Sequence, residues 1–65
     1  MIVGKIEKNG MVGKIYRTSM GYNYKIFKDK EVIMMSYVYL LDEDVTRSKL
    51  IDDLENIDLN KVDKL

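Results

Sequence analysis

The tetrapeptide Val-Gly-Lys-Ile occurs twice, at residues 3–6 and 12–15, with Asn9-Gly10 between the copies. Asn-Gly between two alternating apolar runs is the strongest short-range hairpin signal, because a type I′ turn needs positive φ at both central residues. A two-residue loop there pairs Val3 with Tyr16, Gly4 with Ile15, Lys5 with Lys14, Ile6 with Gly13 and Lys8 with Met11. Side chains of a strand alternate between faces, so the turn also sorts the hairpin into an apolar face and a lysine-bearing one.

The pattern propagates. Residues 22–28, Tyr-Asn-Tyr-Lys-Ile-Phe-Lys, are aromatic, β-branched and alternating, as strands are. Thr18-Ser19-Met20-Gly21 precedes them as a turn, with Gly21 able to take positive φ. That spacing sets Ile15 against Tyr24, Gly13 against Ile26 and Lys14 against Lys25. Asp29-Lys30 reads as a further two-residue turn, flanked by the opposite charges Lys28 and Glu31, and it sets Ile26 against Ile33, Tyr24 against Met35 and Tyr22 against Tyr37. Three turns thus agree on one inner face: Ile2, Ile6, Met11, Ile15, Tyr22, Tyr24, Ile26, Ile33, Met35 and Tyr37. The expected sheet is a four-stranded antiparallel meander with strands over 2–8, 11–17, 22–28 and 31–39.

From Asp44 the period changes. Leu50, Leu54 and Ile57, with Ile51 beside them, form a helical stripe, which predicts a helix over 45–57. Asp42, Glu43 and Asp44 suit its positive end, Asp44 or Thr46 is the expected N-cap, and Lys49 and Asp53 stand one turn apart as an ion pair. Residues 58–65 read as a frayed end or a continuation of the helix. The stripe must be buried, and the inner sheet face is the large apolar surface on offer. Gly4 and Gly13, bare on that face, either leave a groove for the helix or mark bulges. The expected fold class is therefore α+β: one small domain over 1–65, with a C-terminal helix packed on one sheet face.

The same register puts Lys5, Lys14 and Lys25 in one row on the outer face, with Met34 ending it. Tyr16, Asn23 and Ser36 lie to one side of the row, and Val12, Phe27 and Val32 to the other. Directly opposed like charges destabilise a sheet, so this row calls for something that offsets its repulsion. Lys5, Lys14, Lys25, Tyr16, Phe27, Val12, Val32 and Met34 are the candidate binding residues.

Composition narrows the function classes. A chain of 65 residues without a single cysteine, histidine or proline has no disulfide, no Cys-ligated metal and neither the commonest general base nor the commonest zinc ligand. Asp42-Glu43-Asp44 lacks the glycine and terminal glutamate of a calcium loop. No cofactor motif is present, and neither an enzyme nor a resident cofactor or metal is expected. No apolar run is long enough to span a membrane and no signal peptide is visible, so a cytoplasmic protein without a membrane partner is expected. The formal net charge of zero hides a split: residues 1–41 carry seven cations and three anions, residues 42–65 four cations and eight anions. Richness in Ile, Lys, Asp and Tyr fits an AT-rich coding source.

These features lead to the expectation of a small non-catalytic protein-interaction module, a regulator or inhibitor of a larger macromolecule, of the kind phages and mobile elements encode. The alternative is a nucleic-acid-binding domain that uses the lysines with Tyr16 and Phe27 as stacking platforms. A third reading is a homodimer, formed through the same face or through an exposed edge strand. In architecture alone, a small sheet backed by one helix resembles DNA-binding sheets such as the arm-binding domains of integrases.

Overall fold

The computed structural model describes residues 1–36 and 39–57. Four strands, β1 (Ile2–Lys8), β2 (Met11–Thr18), β3 (Gly21–Lys28) and β4 (Glu31–Met35), are followed by one helix, α1 (Glu43–Asn56). The strands pair antiparallel in sequence order, and the helix packs on one sheet face, so the α+β meander is the fold. Asn9 and Gly10 both take positive φ, 54° and 76°, as the type I′ turn requires. Asp29 and Lys30 do the same at 53° and 72°, although no glycine relieves that turn. Gly21 sits at φ 127°, and a Cβ there would come within 2.7 Å of the Leu40 carbonyl oxygen, so both its backbone and its surroundings require glycine.

The β2–β3 register is the expected one throughout, from Thr18 opposite Gly21 to Val12 opposite Phe27. Both edge strands depart from it once, each by a bulge. In β1, Gly4 through Lys8 pair as expected, but Ile2 rather than Val3 stands opposite Tyr16. Val3 turns to the core, and Ile2, expected inside, is 53% exposed. In β4 the slip lies between Val32 and Met34, so that Ile26 faces Met34 and Lys25 faces Met35. Ile33 and Met34 both pack on the core, whereas Met35 leaves the inner face expected of it. An edge strand has a neighbour on one side only, so it can absorb an extra residue where that brings a second apolar side chain inward. Ser36, expected on the outer face, lies opposite Tyr24: its N–H donates to the Tyr24 carbonyl, and its Oγ accepts from the Tyr24 N–H at 3.0 Å. The expected strand over 31–39 ends at Met35, with an isolated bridge joining Tyr22 and Leu40. The pairing of Tyr37 and the expectation for 58–65 lie outside the described residues.

The core consists of Met11, Ile15, Tyr24, Ile26, Leu50 and Leu54, with Thr46 fully buried beside them. The helical stripe is thus Thr46, Leu50 and Leu54, one residue per turn, with Ile57 packed at its end. Helix α1 begins two residues before expectation, because Asp42 and not Asp44 or Thr46 is the N-cap. Its carboxylate accepts from the Asp44 and Val45 N–H groups at 2.7 and 3.2 Å. Thr46 instead donates its hydroxyl to the Asp42 carbonyl at 2.8 Å, which satisfies a polar group in a dry site. The Gly13 groove is real. A Cβ there would lie 2.6 Å from Leu50 Cδ1, so the leucine seats against bare backbone. Gly4 plays both expected parts: it adjoins the β1 bulge, and the Arg47 guanidinium lies over it, 3.0 Å from where a Cβ would be.

Three contacts orient the helix. The Lys8 ammonium meets the Glu55 carboxylate at 2.8 Å. Asn9 Nδ2 donates to the Leu54 carbonyl at 3.3 Å, so the residue that makes the first turn also binds a carbonyl left free at the helix C-terminus. The Tyr24 hydroxyl donates to Asp53. That takes up the carboxylate expected to pair with Lys49, and the ion pair found along the helix joins Arg47 to Glu43.

Candidate binding face

With the helix on the inner face, the outer face stands open. Its middle row is the one expected, Lys5 opposite Lys14 opposite Lys25, but Met35 ends it. Met34, a candidate on sequence grounds, belongs to the core side. One neighbouring row runs Glu7, Val12, Phe27, Val32, and the other holds Ile2, Tyr16 and Asn23. The face therefore consists of three stripes: apolar, cationic and mixed aromatic–polar.

The lysine repulsion is offset from within the face. Lys14 Nζ stands over the Phe27 ring at 4.9 Å from its centre, and Lys25 Nζ over the Tyr16 ring at 5.3 Å. Both are cation–π distances, and both contacts run along the same diagonal of the β2–β3 ladder, within reach of a long side chain. Lys5 pairs with Glu7 on its own strand at 3.3 Å. Both diagonals follow from the β2–β3 register. Lys5, Val12, Lys14, Phe27, Asp29 and Lys30 surround a shallow depression of about 280 Å³. Two of these residues are apolar, three are lysines and one is acidic.

Two further features were not anticipated. The Asn23 side-chain oxygen, beside Tyr16, is buried and has no hydrogen-bond partner among the described residues. Met1, Met20, Tyr39, Leu41 and Val45 are exposed apolar residues outside this face. On the inner side, burial first and the Asp53 carboxylate second push the Tyr24 phenol well above the ordinary tyrosine range. That group is a protonated donor serving the fold.

Among the described residues no cluster of acidic or other ligating side chains is arranged to hold a metal ion, and no helix is long and apolar enough to cross a membrane. Comparison with protein-family models, with curated proteins and with solved structures finds no match. The architectural likeness to integrase arm-binding domains thus has no matching structure behind it, and the face is read from its own chemistry.

Proposed function

We propose that this chain is a non-catalytic protein-interaction module, a small regulator or inhibitor that binds its target through the outer sheet face. The target segment it fits places carboxylates beside apolar side chains. The observation that carries this reading is the juxtaposition of the Lys5–Lys14–Lys25 row with the Val12–Phe27–Val32 row, of which Lys5, Lys14, Val12 and Phe27 line the depression. Carboxylates would meet the ammonium groups while apolar side chains cover the second row, a mixture typical of non-obligate protein interfaces.

The nucleic-acid alternative shares the lysines but makes less of the rest. Stacking a base on the lysine-covered face of Phe27 or Tyr16 would displace that lysine. An apolar row serves no phosphate. The test is a titration followed by amide chemical shifts, using an acidic–apolar peptide and, separately, a single-stranded oligonucleotide at physiological salt. Saturable shifts at Val12, Lys14, Phe27 and Val32 with the peptide, lost in Phe27→Ala, are expected. Saturation by the oligonucleotide with steep salt dependence, and none by the peptide, would replace this reading with the alternative.

A further inference from the structure

We propose that the chain self-associates through the edge of β1 that is unpaired among the described residues, two copies pairing antiparallel about a two-fold axis at Ile6, so that Lys5 of each faces Glu7 of the other. The sheet has two edges, and they are unlike. β4 is five residues long and bulged in its middle, which blunts an edge. β1 keeps an uninterrupted register from Gly4 to Lys8.

The hydrogen-bond phase selects which groups are available. The two-residue turn makes Lys8 and Met11 a bonded pair, and bonded pairs alternate along an antiparallel ladder. Ile6 and Gly4 therefore bond toward β2, while the N–H and C=O groups of Lys5 and Glu7 point outward. Among the described residues no backbone hydrogen bond from outside the sheet reaches them.

A second copy of the strand can use these groups in three registers that keep like faces together: Lys5 on Lys5, Glu7 on Glu7, or Lys5 on Glu7 twice. The first two oppose like charges and the third opposes unlike ones, so charge selects the third. That register brings Ile6 against its own copy as a non-bonded pair, where side chains approach closest. Ile6 has an unmet need there. The helix fully buries Ile15 and Ile26 on the central strands but leaves Ile6 and Val3 half-covered at the β1 margin. Pairing closes that margin and joins the two sheets into one, with both helices on the same side. For a chain of 65 residues, near the lower limit for a self-sufficient core, association is a common source of added stability.

The test is sedimentation equilibrium of the full chain at low salt from roughly 10 μM to 1 mM, the range a small interface calls for. The mass is expected to rise from 7.6 kDa toward twice that value. Lys5→Glu alone and Glu7→Lys alone each set like charges across the axis and raise the dissociation constant at least about tenfold. An equimolar mixture of the two variants pairs unlike charges again and recovers the dimer, as does the double exchange in one chain. Circular dichroism checks that each variant is folded, and Lys5→Glu has an added safeguard in placing an opposite charge across from Lys14. A parent chain that stays monomeric throughout overturns the proposal, as do single variants that dimerise as well as the parent.

Discussion

The two faces of this sheet are made by the same four strands and are held by different physics. The inner face is governed by shape: Leu50 occupies the space Gly13 leaves, and Ile15, Ile26 and Leu54 are wholly removed from water. The outer face is governed by charge, with three lysines in a row offset by two aromatic rings and one glutamate. An atom misplaced on the inner face has nowhere to go, because interiors are packed at crystal density. A charge changed on the outer face rearranges into solvent. Stability should therefore respond to the first face and binding to the second.

Leu50→Ala should test that division most severely, costing about 3 kcal/mol in urea unfolding through lost burial and the cavity left behind. A cost below about 1 kcal/mol would mean that the groove does not hold the helix. Gly13→Val comes next, at about 2 kcal/mol from overpacking against the same leucine. The double variant should cost less than the two separate losses together, since removing Leu50 makes room for the new side chain. Additive losses would show that the two positions do not share one space.

Tyr24→Phe should cost about 1 kcal/mol by removing the donor to Asp53, and it should also alter the alkaline limb of stability. A tyrosine whose native pKa lies above its unfolded value near 10 contributes in full below that value, and the contribution is lost as pH rises toward the native one. The parent should therefore lose stability above about pH 10 more steeply than Tyr24→Phe in paired melts. Equal slopes would remove Tyr24 from the account.

Smaller effects are expected away from the inner face. Lys30→Gly should raise stability by about 0.5 kcal/mol or more, because Lys30 holds a positive φ of 72° that glycine adopts freely. Lys14→Glu should change unfolding free energy by less than about 0.5 kcal/mol, since relief of the lysine row and loss of the Phe27 contact oppose each other. The same substitution should abolish peptide-induced shifts on the outer face. A large stability loss without a binding loss would reverse the roles assigned to the two faces.

Much of this fold was legible in the sequence because turns are local. Asn9-Gly10 and Gly21 favour the φ values their turns need, Asp29-Lys30 is marked by the opposite charges that flank it, and each turn sets the pairs next to it; the lysine row and the core residues Met11, Ile15, Tyr24 and Ile26 followed from the first two turns. The candidate face was legible for the same reason, and seven of its eight expected residues lie on it. Met34 lies inward because of the β4 bulge, which follows two regular pairs and is set by packing of Ile33 and Met34 on the core rather than by the turn. The helix N-cap was misplaced because Asp42 and Asp44 have the same side chain, and only the path of the chain into α1 selects between them.

Local chemistry in the sequence thus determined turn positions, the central register, the split between an apolar and a cationic face, and the presence of a C-terminal helix. These depend on interactions between residues near in the chain or opposed across a tight turn. The tertiary structure decided what depends on distant residues meeting: Leu50 over Gly13, Arg47 over Gly4, the Tyr24 hydroxyl on Asp53, Asn9 on the Leu54 carbonyl, and the bulges that send Val3 and Met34 inward. A helix can cross a sheet face in many ways that leave every local preference satisfied. The three-dimensional fit of side chains around two glycines selects one of them.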